Sequence, residues 1–236
     1  MKKLLEDKKA FVECLFKCFY VVIAITATVI SFTMPNLTNK GEVRSPFMFY
    51  TNWSVWFVLI TACLSFAVSI FWLCEKKNIS NQIIECLRFA SLIMIIATFI
   101  ISAFVLPDKI WKAGYWTVPS IFKHFLLPIL TVVDYALYTR RGSLKLYFPF
   151  TALIVPLIYW NIIIARFLIK RGSLGGRIPE ESWPFYYPYG FTNIDNGKSL
   201  GFLIGLLSGI LVGLVAIGYA LYFLKKERQD AVNHFE

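Results

Sequence analysis

The sequence predicts an all-α, polytopic integral membrane protein in which six transmembrane helices form a single domain and both termini lie in the cytoplasm. The first observation behind this prediction is composition, because 58% of the 236 residues are hydrophobic and only 16% are charged. A water-soluble fold of this length cannot bury so much apolar side chain. The second observation is six long apolar stretches, and the third is the clustering of Lys and Arg between them.

Each apolar stretch reaches the roughly 20 residues that a helix needs to cross a bilayer at about 1.5 Å per residue. The first is too long and too interrupted for a removable signal peptide. The second is long enough to be tilted or to extend past the bilayer. Within the single domain 1–236, the predicted spans cover about 11–33, 46–74, 87–106, 117–138, 146–169 and 200–224.

The orientation follows from the basic residues that flank the spans, since cytoplasmic loops are enriched in Lys and Arg. Because these residues do not form one patch, the net charge of +10 does not indicate a nucleic-acid partner. The side opposite the termini has fewer, in longer loops: Lys40, Arg44, Lys109, Lys112, Lys170, Arg171, Arg177 and Lys198. The side with both termini, which we expect to be cytoplasmic, has Lys2, Lys3, Lys8, Lys9, Lys76, Lys77, Arg88, Arg140, Arg141, Lys145, Lys225, Lys226 and Arg228.

The cysteines indicate neither a disulfide framework nor a metal site. Four of the five lie at the predicted cytoplasmic ends of spans, and Cys63 lies in mid-membrane. Cys14 and Cys18 are one helical turn apart, but no second pair or nearby histidine completes a ligand set. The sequence therefore predicts no metal and no cofactor. The Lys-rich termini, without a recognised targeting signal, are compatible with a bacterial plasma membrane.

The last span and the loop before it carry two further patterns. Four glycines at i+4 spacing allow close approach of a second helix backbone, either from this chain or from another copy in a homo-oligomer. The loop 170–199 contains WPFYYPYGFTNIDNG, whose aromatics suit the headgroup layer, so we expect an interfacial cap or a lid over a pocket. The four glycines are Gly201, Gly205, Gly209 and Gly213.

Ionisable residues inside the predicted spans are candidates for function, because charge is costly in lipid. Glu13 and Lys17 are i,i+4 neighbours and are expected to neutralise each other, and Lys123 and Arg166 lie near enough to the outer boundary to snorkel. Two residues of the fourth span remain: His124, about 10 Å below that boundary, and Asp134, about 15 Å further along the helix. We expect Asp134 to be an interior anchor that pairs with a cation or hydroxyl, and His124 to be either structural or catalytic.

Thr51 lies in the second span at about the depth of His124, on the order of 8 Å below the outer boundary. A threonine in a membrane helix usually bonds to the carbonyl four residues earlier, and this is the alternative to a catalytic role. A histidine base would make its hydroxyl a nucleophile for a lipid ester. Asn52, Tyr159 and Asn161 are candidate donors to the resulting oxyanion.

Three segments carry a resemblance to a known family: FMFYTNWSVW around Thr51, KHFLLPILTVVDY around His124, and YYPYGFTNID before the last helix. They resemble the androgen-induced-gene family of intramembrane threonine hydrolases, and still more its bacterial six-span relatives. The resemblance implies that Thr51 is the nucleophile and that His124, followed by Leu127 and Pro128, is the base. It also places Asp134 where the family can carry an acidic residue. In the animal members the reaction is hydrolysis of fatty-acid esters of hydroxy fatty acids.

Three functions from different classes therefore follow from the sequence. The first is an intramembrane lipid esterase or acyl hydrolase that uses Thr51 and His124 on a fatty-acyl ester drawn from the membrane lipids. The second is a small-molecule transporter or channel in which Asp134, Arg166 and His124 line a polar path. The third is a non-catalytic scaffold that assembles through the glycines of the last helix.

Overall fold

The computed structural model describes residues 2–34, 44–75, 82–105, 117–189 and 192–226, and every regular element among them is helical. The all-α prediction is therefore confirmed. Short 3-10 turns occur at Pro46–Met48 and Glu180–Ser182, and π-helical turns occur at Ile101–Val105 and Phe122–Leu126. The α-helices are α1 Lys2–Thr33, α2 Tyr50–Glu75, α3 Gln82–Ile100, α4 Val118–Ile121, α5 Leu127–Tyr138, α6 Phe148–Thr151, α7 Ile154–Ser173, α8 Trp183–Tyr186 and α9 Leu200–Lys225.

Among the described residues, six helical segments are long and apolar enough to cross a membrane, in agreement with the six predicted spans. The second predicted span starts too early, because Pro46–Met48 forms a separate 3-10 turn before α2 begins. A proline at the first position of that turn has no N–H to give to a continuous helix. The six segments are Lys8–Thr33, Tyr50–Glu75, Gln82–Ala103, Val118–Tyr138, Phe148–Ser173 and Leu200–Lys225.

The centre of the bundle is α3, in which every residue from Phe89 to Ile95 is buried. On one side, small residues such as Ala24 of α1 and Ala62 of α2 allow these two helices to pack closely together. On the other side, α3 contributes to a larger apolar core with α5, α6, α7 and α9. Seven consecutive buried residues cover every face of a helix, so this part of α3 is surrounded by neighbouring helices.

The two ends of the bundle are distinguished by their hydrogen bonds. We call the end that contains Gly142 and Lys225 the terminus end. There the Gly142 N–H donates to the Lys225 carbonyl at 3.0 Å. We call the opposite end, which contains Arg44 and Tyr187, the loop end. There the Arg44 guanidinium donates to the carbonyl of Pro184 at 2.9 Å and to that of Pro188 at 3.1 Å. Helices that cross the bundle in alternate directions bring these loops together in two sets.

The predicted cap 170–199 folds over the loop end, apart from residues 190 and 191, which lie outside the described residues. Asp195 holds it together by accepting from the Ile178 N–H at 3.0 Å and from the Tyr187 hydroxyl at 2.6 Å. Arg171 pairs with the same carboxylate at 3.3 Å. Burial and the Asp195 carboxylate raise the pKa of Tyr187, so this phenol stays a neutral donor near neutral pH.

Three glycines of the predicted stripe on α9, Gly205, Gly209 and Gly213, face away from the rest of the described chain. A methyl group placed on Gly205, Gly209 or Gly213 would meet no atom within 4 Å outside its own helix backbone and chain neighbours. The helix instead packs through Gly218, where an added Cβ would lie 2.9 Å from Ile93 Cδ1 and equally close to a proline Cβ. Close approach inside the bundle therefore depends on a glycine outside the predicted stripe, while the stripe itself is available to a second helix.

Candidate functional site

Thr51 lies in the first turn of α2, where it is half-buried. Its side chain hydrogen-bonds with the hydroxyl of Tyr189, which also accepts from the Tyr50 N–H at 3.0 Å. Lipid-facing threonines behave differently, since the Thr26 hydroxyl donates to the Val22 carbonyl of its own helix at 2.9 Å. Thr51 thus has a partner from another segment, in contrast to the local bond that is usual for threonine in a membrane helix.

Tyr159 of α7 belongs to the same hydroxyl cluster. It is fully buried, hydrogen-bonds with Tyr189, and donates to the Met48 carbonyl at 2.6 Å. Burial raises the pKa of Tyr189, which lies in the cap, so its phenol remains able both to donate and to accept. The predicted nucleophile Thr51 and the predicted donor Tyr159 are therefore linked through Tyr189.

His124 lies in the π-helical turn Phe122–Leu126, whose last bond runs from the Leu127 N–H to the Phe122 carbonyl. Pro128 follows, and because proline has no N–H the carbonyl four residues earlier receives no helical bond from it. The Nδ1 atom of His124 lies 2.7 Å from the hydroxyl of Ser102, which is buried. Ser102 is itself in the π-helical turn Ile101–Val105, so two irregular turns bring this pair together. Such turns occur frequently at functional sites.

Ser102 is a residue that the sequence reasoning missed. A serine in an apolar helix normally bonds to its own backbone, and nothing in its spacing relates it to His124. The sequence signal for Ser102 was its position one helical turn after Thr98. In the structure, the Thr98 hydroxyl lies 2.7 Å from that of Ser54 on α2. Because Thr98 and Ser102 are four residues apart, they lie on the same face of the helix, and both are buried in the bundle.

Asn52 and Lys123 connect the two halves of this region. The Lys123 ammonium donates to Asn52 Oδ1 at 3.1 Å, and the Asn52 amide donates to the Pro46 carbonyl at 2.8 Å. The expectation that Lys123 snorkels to the boundary is wrong, because only 6% of the residue is exposed. The π-helical turn directs Lys123 between the helices, and depth along the chain gives no information about this direction.

We call these residues together the loop-end polar layer: Thr51, Asn52, Ser102, Lys123, His124, Tyr159 and Tyr189. Thr51 and His124 belong to this one layer, in which Thr51 hydrogen-bonds with Tyr189 and His124 hydrogen-bonds with Ser102. The layer combines a base, several hydroxyl groups and a buried cation, which are the groups needed for acid–base and acyl-transfer chemistry. Within the described ranges, no group of three or more His, Cys, Asp or Glu could hold a metal ion, and the five cysteines are free.

Two predicted site residues of α7 lie outside the layer. Asn161 is exposed and its amide donates to the Leu157 carbonyl of its own helix at 2.7 Å. It follows Tyr159 by two positions, which places it on the opposite face of the helix. Arg166 is also exposed, and its guanidinium carbon lies 5.3 Å from the centroid of the Tyr186 ring.

Asp134 lies in the terminus half of the bundle, within a set of charged residues that we call the ion network: Lys17, Glu85, Arg88 and Asp134. Its carboxylate accepts from the Lys17 ammonium and, at 2.9 Å, from the Arg88 guanidinium. Arg88 also contacts Glu85 at 3.0 Å. Asp134 is thus an interior anchor that pairs with cations, as the sequence predicted. Lys17, which was expected to pair with Glu13, forms its ion pair with Asp134 of another helix.

Comparisons of the chain with protein-family models, with curated proteins and with solved structures found no match. The loop-end polar layer and the resemblance of the three sequence motifs are therefore the observations that bear on function.

Proposed function

We propose that the protein is an intramembrane hydrolase of lipid esters, with Thr51 as nucleophile and His124 as base. The observation that carries the proposal is the hydrogen bond between Lys123 and Asn52, because it joins the sequence neighbours of the two catalytic candidates. Thr51 and His124 therefore occupy the same layer of the bundle. The resemblance to the androgen-induced-gene family supports the same two residues. We further propose a bacterial plasma membrane, with the terminus end of the bundle in the cytoplasm.

In the proposed reaction, Thr51 Oγ1 attacks the carbonyl carbon of the ester while His124 takes the hydroxyl proton. The carbon–oxygen bond to the alcohol then breaks, and His124 returns the proton to the leaving alkoxide. His124 next deprotonates a water that attacks the acyl-threonine. The acyl group leaves as a carboxylic acid, and Thr51 recovers its proton.

Neighbouring side chains have supporting roles in this proposal. Ser102 contacts Nδ1 of His124 and thereby fixes the ring orientation, so that proton transfer proceeds through Nε2. Tyr189 hydrogen-bonds with Thr51 and orients its hydroxyl. Tyr159 already donates its one hydroxyl proton to the Met48 carbonyl, so it does not serve as the oxyanion donor that the sequence predicted; its contribution is to hold Tyr189 in place. Asn52 already donates one amide N–H to Pro46, so its contribution is to hold Lys123 in place.

The test is release of fatty acid from a panel of lipid esters by the full chain in lipid nanodiscs. Thr51→Ala and His124→Ala are each expected to lower the rate by at least about 100-fold, the usual contribution of an acid–base group. Thr26→Ala is the matched control, because the Thr26 hydroxyl is bonded within its own helix. Wild-type rates in either site variant, at equal protein levels, would exclude the proposal.

A second candidate function is supported by a polar cavity in the terminus half of the bundle. Its lining includes the hydroxyls of Thr61, Ser65 and Ser91 beside the charged groups of Arg88 and Asp134. The cavity has a volume of about 10 Å³, which is room for about one water molecule. Polar side chains at membrane depth are typical of solute pathways, so transport of a small solute is the alternative, and it would require this cavity to widen. Flux into liposomes that is lost in Ser65→Leu and retained in Thr51→Ala would favour transport over hydrolysis.

A further inference from the structure

Lys123 is a buried cation without a carboxylate partner. Within the described ranges, no carboxylate oxygen lies within 4.0 Å of its ammonium, and its hydrogen bond goes to the neutral amide oxygen of Asn52. Lys17, which is also buried, is paired with Asp134. An ammonium has three donors, so among the described residues the Asn52 contact leaves a positive charge and two N–H groups uncompensated inside the bundle.

A second donor lies in the same part of the bundle. The indole Nε1 of Trp56 is buried and has no hydrogen-bond partner among the described residues. Trp56 follows Asn52 by four positions and therefore lies on the same face of α2, one helical turn away. The π-helical turn that carries Lys123 contacts both α1 and α2, and Trp56 packs in the apolar cluster with Phe122 of that turn.

This seam between α1, α2 and the π-helical turn is open to lipid through aromatic side chains. The Trp56 ring stacks on that of Phe32 of α1, with 5.3 Å between the ring centroids, and meets the Phe47 ring edge-on, with 5.0 Å between the centroids. Phe32 and Phe47 are half or more exposed, at 50% and 57%. An acyl chain can therefore lie against this aromatic rim while a polar group reaches the buried donors.

We propose that Lys123 and the Trp56 indole bind an anionic oxygen of a membrane lipid, carried by a carboxylate or a phosphate group. Two uncompensated donors, one of them charged, require an acceptor with negative charge. This inference goes beyond the proposed function and stands without it, because binding of an anionic lipid requires no turnover.

The test measures lipid binding to the full chain in neutral detergent, with oleate, lysophosphatidylglycerol and the uncharged monoolein as probes. At least one anionic probe is expected to bind about 10-fold or more tightly than monoolein. Oleate alone would identify a carboxylate site, and lysophosphatidylglycerol alone a phosphate site. Lys123→Met should weaken binding of the preferred probe by about 10- to 100-fold, the range for a hydrogen bond to a charged group. Lys123→Arg should retain most of the affinity, and Trp56→Phe should lose several-fold.

Three controls separate this site from a structural role and from the proposed reaction. Lys145→Met makes the same charge change at an exposed position and should bind like wild type. Without ligand, Lys123→Met should melt at the wild-type temperature or above it, because the variant removes an uncompensated buried charge. Thr51→Ala should bind the probe normally, so that failure of hydrolysis leaves this result intact. Unchanged affinity in Lys123→Met, or equal binding of charged and uncharged probes, would overturn the inference.

Discussion

Replacement of Asp134 by Asn is expected to destabilise the bundle strongly. The change removes the negative charge that two cations share, and it affects them unequally. Arg88 keeps Glu85 at 3.0 Å, whereas Lys17, which is only 1% exposed, loses its ion-pair partner. Glu13, one helical turn from Lys17, interacts with it electrostatically and compensates part of its charge. The cost is therefore at most that of one uncompensated buried charge, about 3–5 kcal/mol of the free energy of unfolding. Because Asn can still accept one hydrogen bond, we expect the lower end of this range.

The double variant Lys17→Met with Asp134→Asn provides the stricter test of this reasoning. It removes one charge of each sign, so the ion network returns to the balance of Arg88 with Glu85. We expect it to recover at least about 2 kcal/mol of the loss in Asp134→Asn, because a buried pair is often replaceable by neutral side chains.

Unfolding by dodecyl sulfate in mixed micelles measures these free energies, and Glu75→Gln at an exposed position is the control for loss of a carboxylate. Two results would refute the reasoning: wild-type stability of Asp134→Asn, or a double variant no more stable than Asp134→Asn. The first would mean that the carboxylate does not compensate the cations. The second would mean that its role is independent of Lys17.

Three further predictions concern glycines and Ser102. Gly218→Ala should cost about 1–3 kcal/mol of stability, because its Cβ would lie 2.9 Å from two side chains, whereas Gly209→Ala has open space and should be neutral in the same unfolding assay. Leucine at both Gly205 and Gly209 should abolish any homo-oligomer seen by crosslinking in lipid while leaving monomer stability unchanged; persistence of the oligomer would exclude this face. Ser102→Ala should lower hydrolysis about 10- to 100-fold and alter its pH profile through His124, with rescue by Ser102→Thr; an unchanged profile would contradict the positioning role.

The number and type of the spans could be predicted from the sequence because lipid requires long apolar helices. The start of the second span could not, since Pro46 and Phe47 are as suitable for a 3-10 turn as for a helix end. The composition also could not predict that α3 is the helix buried on every side. Apolar runs that face lipid and apolar runs that face other helices have the same hydropathy.

The contacts of the charged residues were less predictable than their positions. Lys17 has a suitable neighbour four residues away in Glu13, yet it pairs with Asp134, which is 117 residues distant. Spacing along one helix identifies only the ion-pair partners within that helix. Tertiary packing adds charged residues from other helices, and it determines which of all these partners a lysine contacts. The burial of Lys123 has the same origin. Depth in the membrane follows from counting residues, whereas the direction of a side chain depends on the irregular turn that precedes Pro128.

The buried lysines Lys17 and Lys123 indicate how the protein divides its polar residues between stability and function. In the terminus half, Lys17 is compensated by Asp134, so the charge contributes to a closed network. In the loop half, Lys123 and the Trp56 indole keep donors that the described chain does not satisfy. A buried group that costs stability without compensation persists where it binds something outside the chain. The loop-end polar layer, which also holds Thr51 and His124, is therefore the part of this bundle in which a ligand is expected.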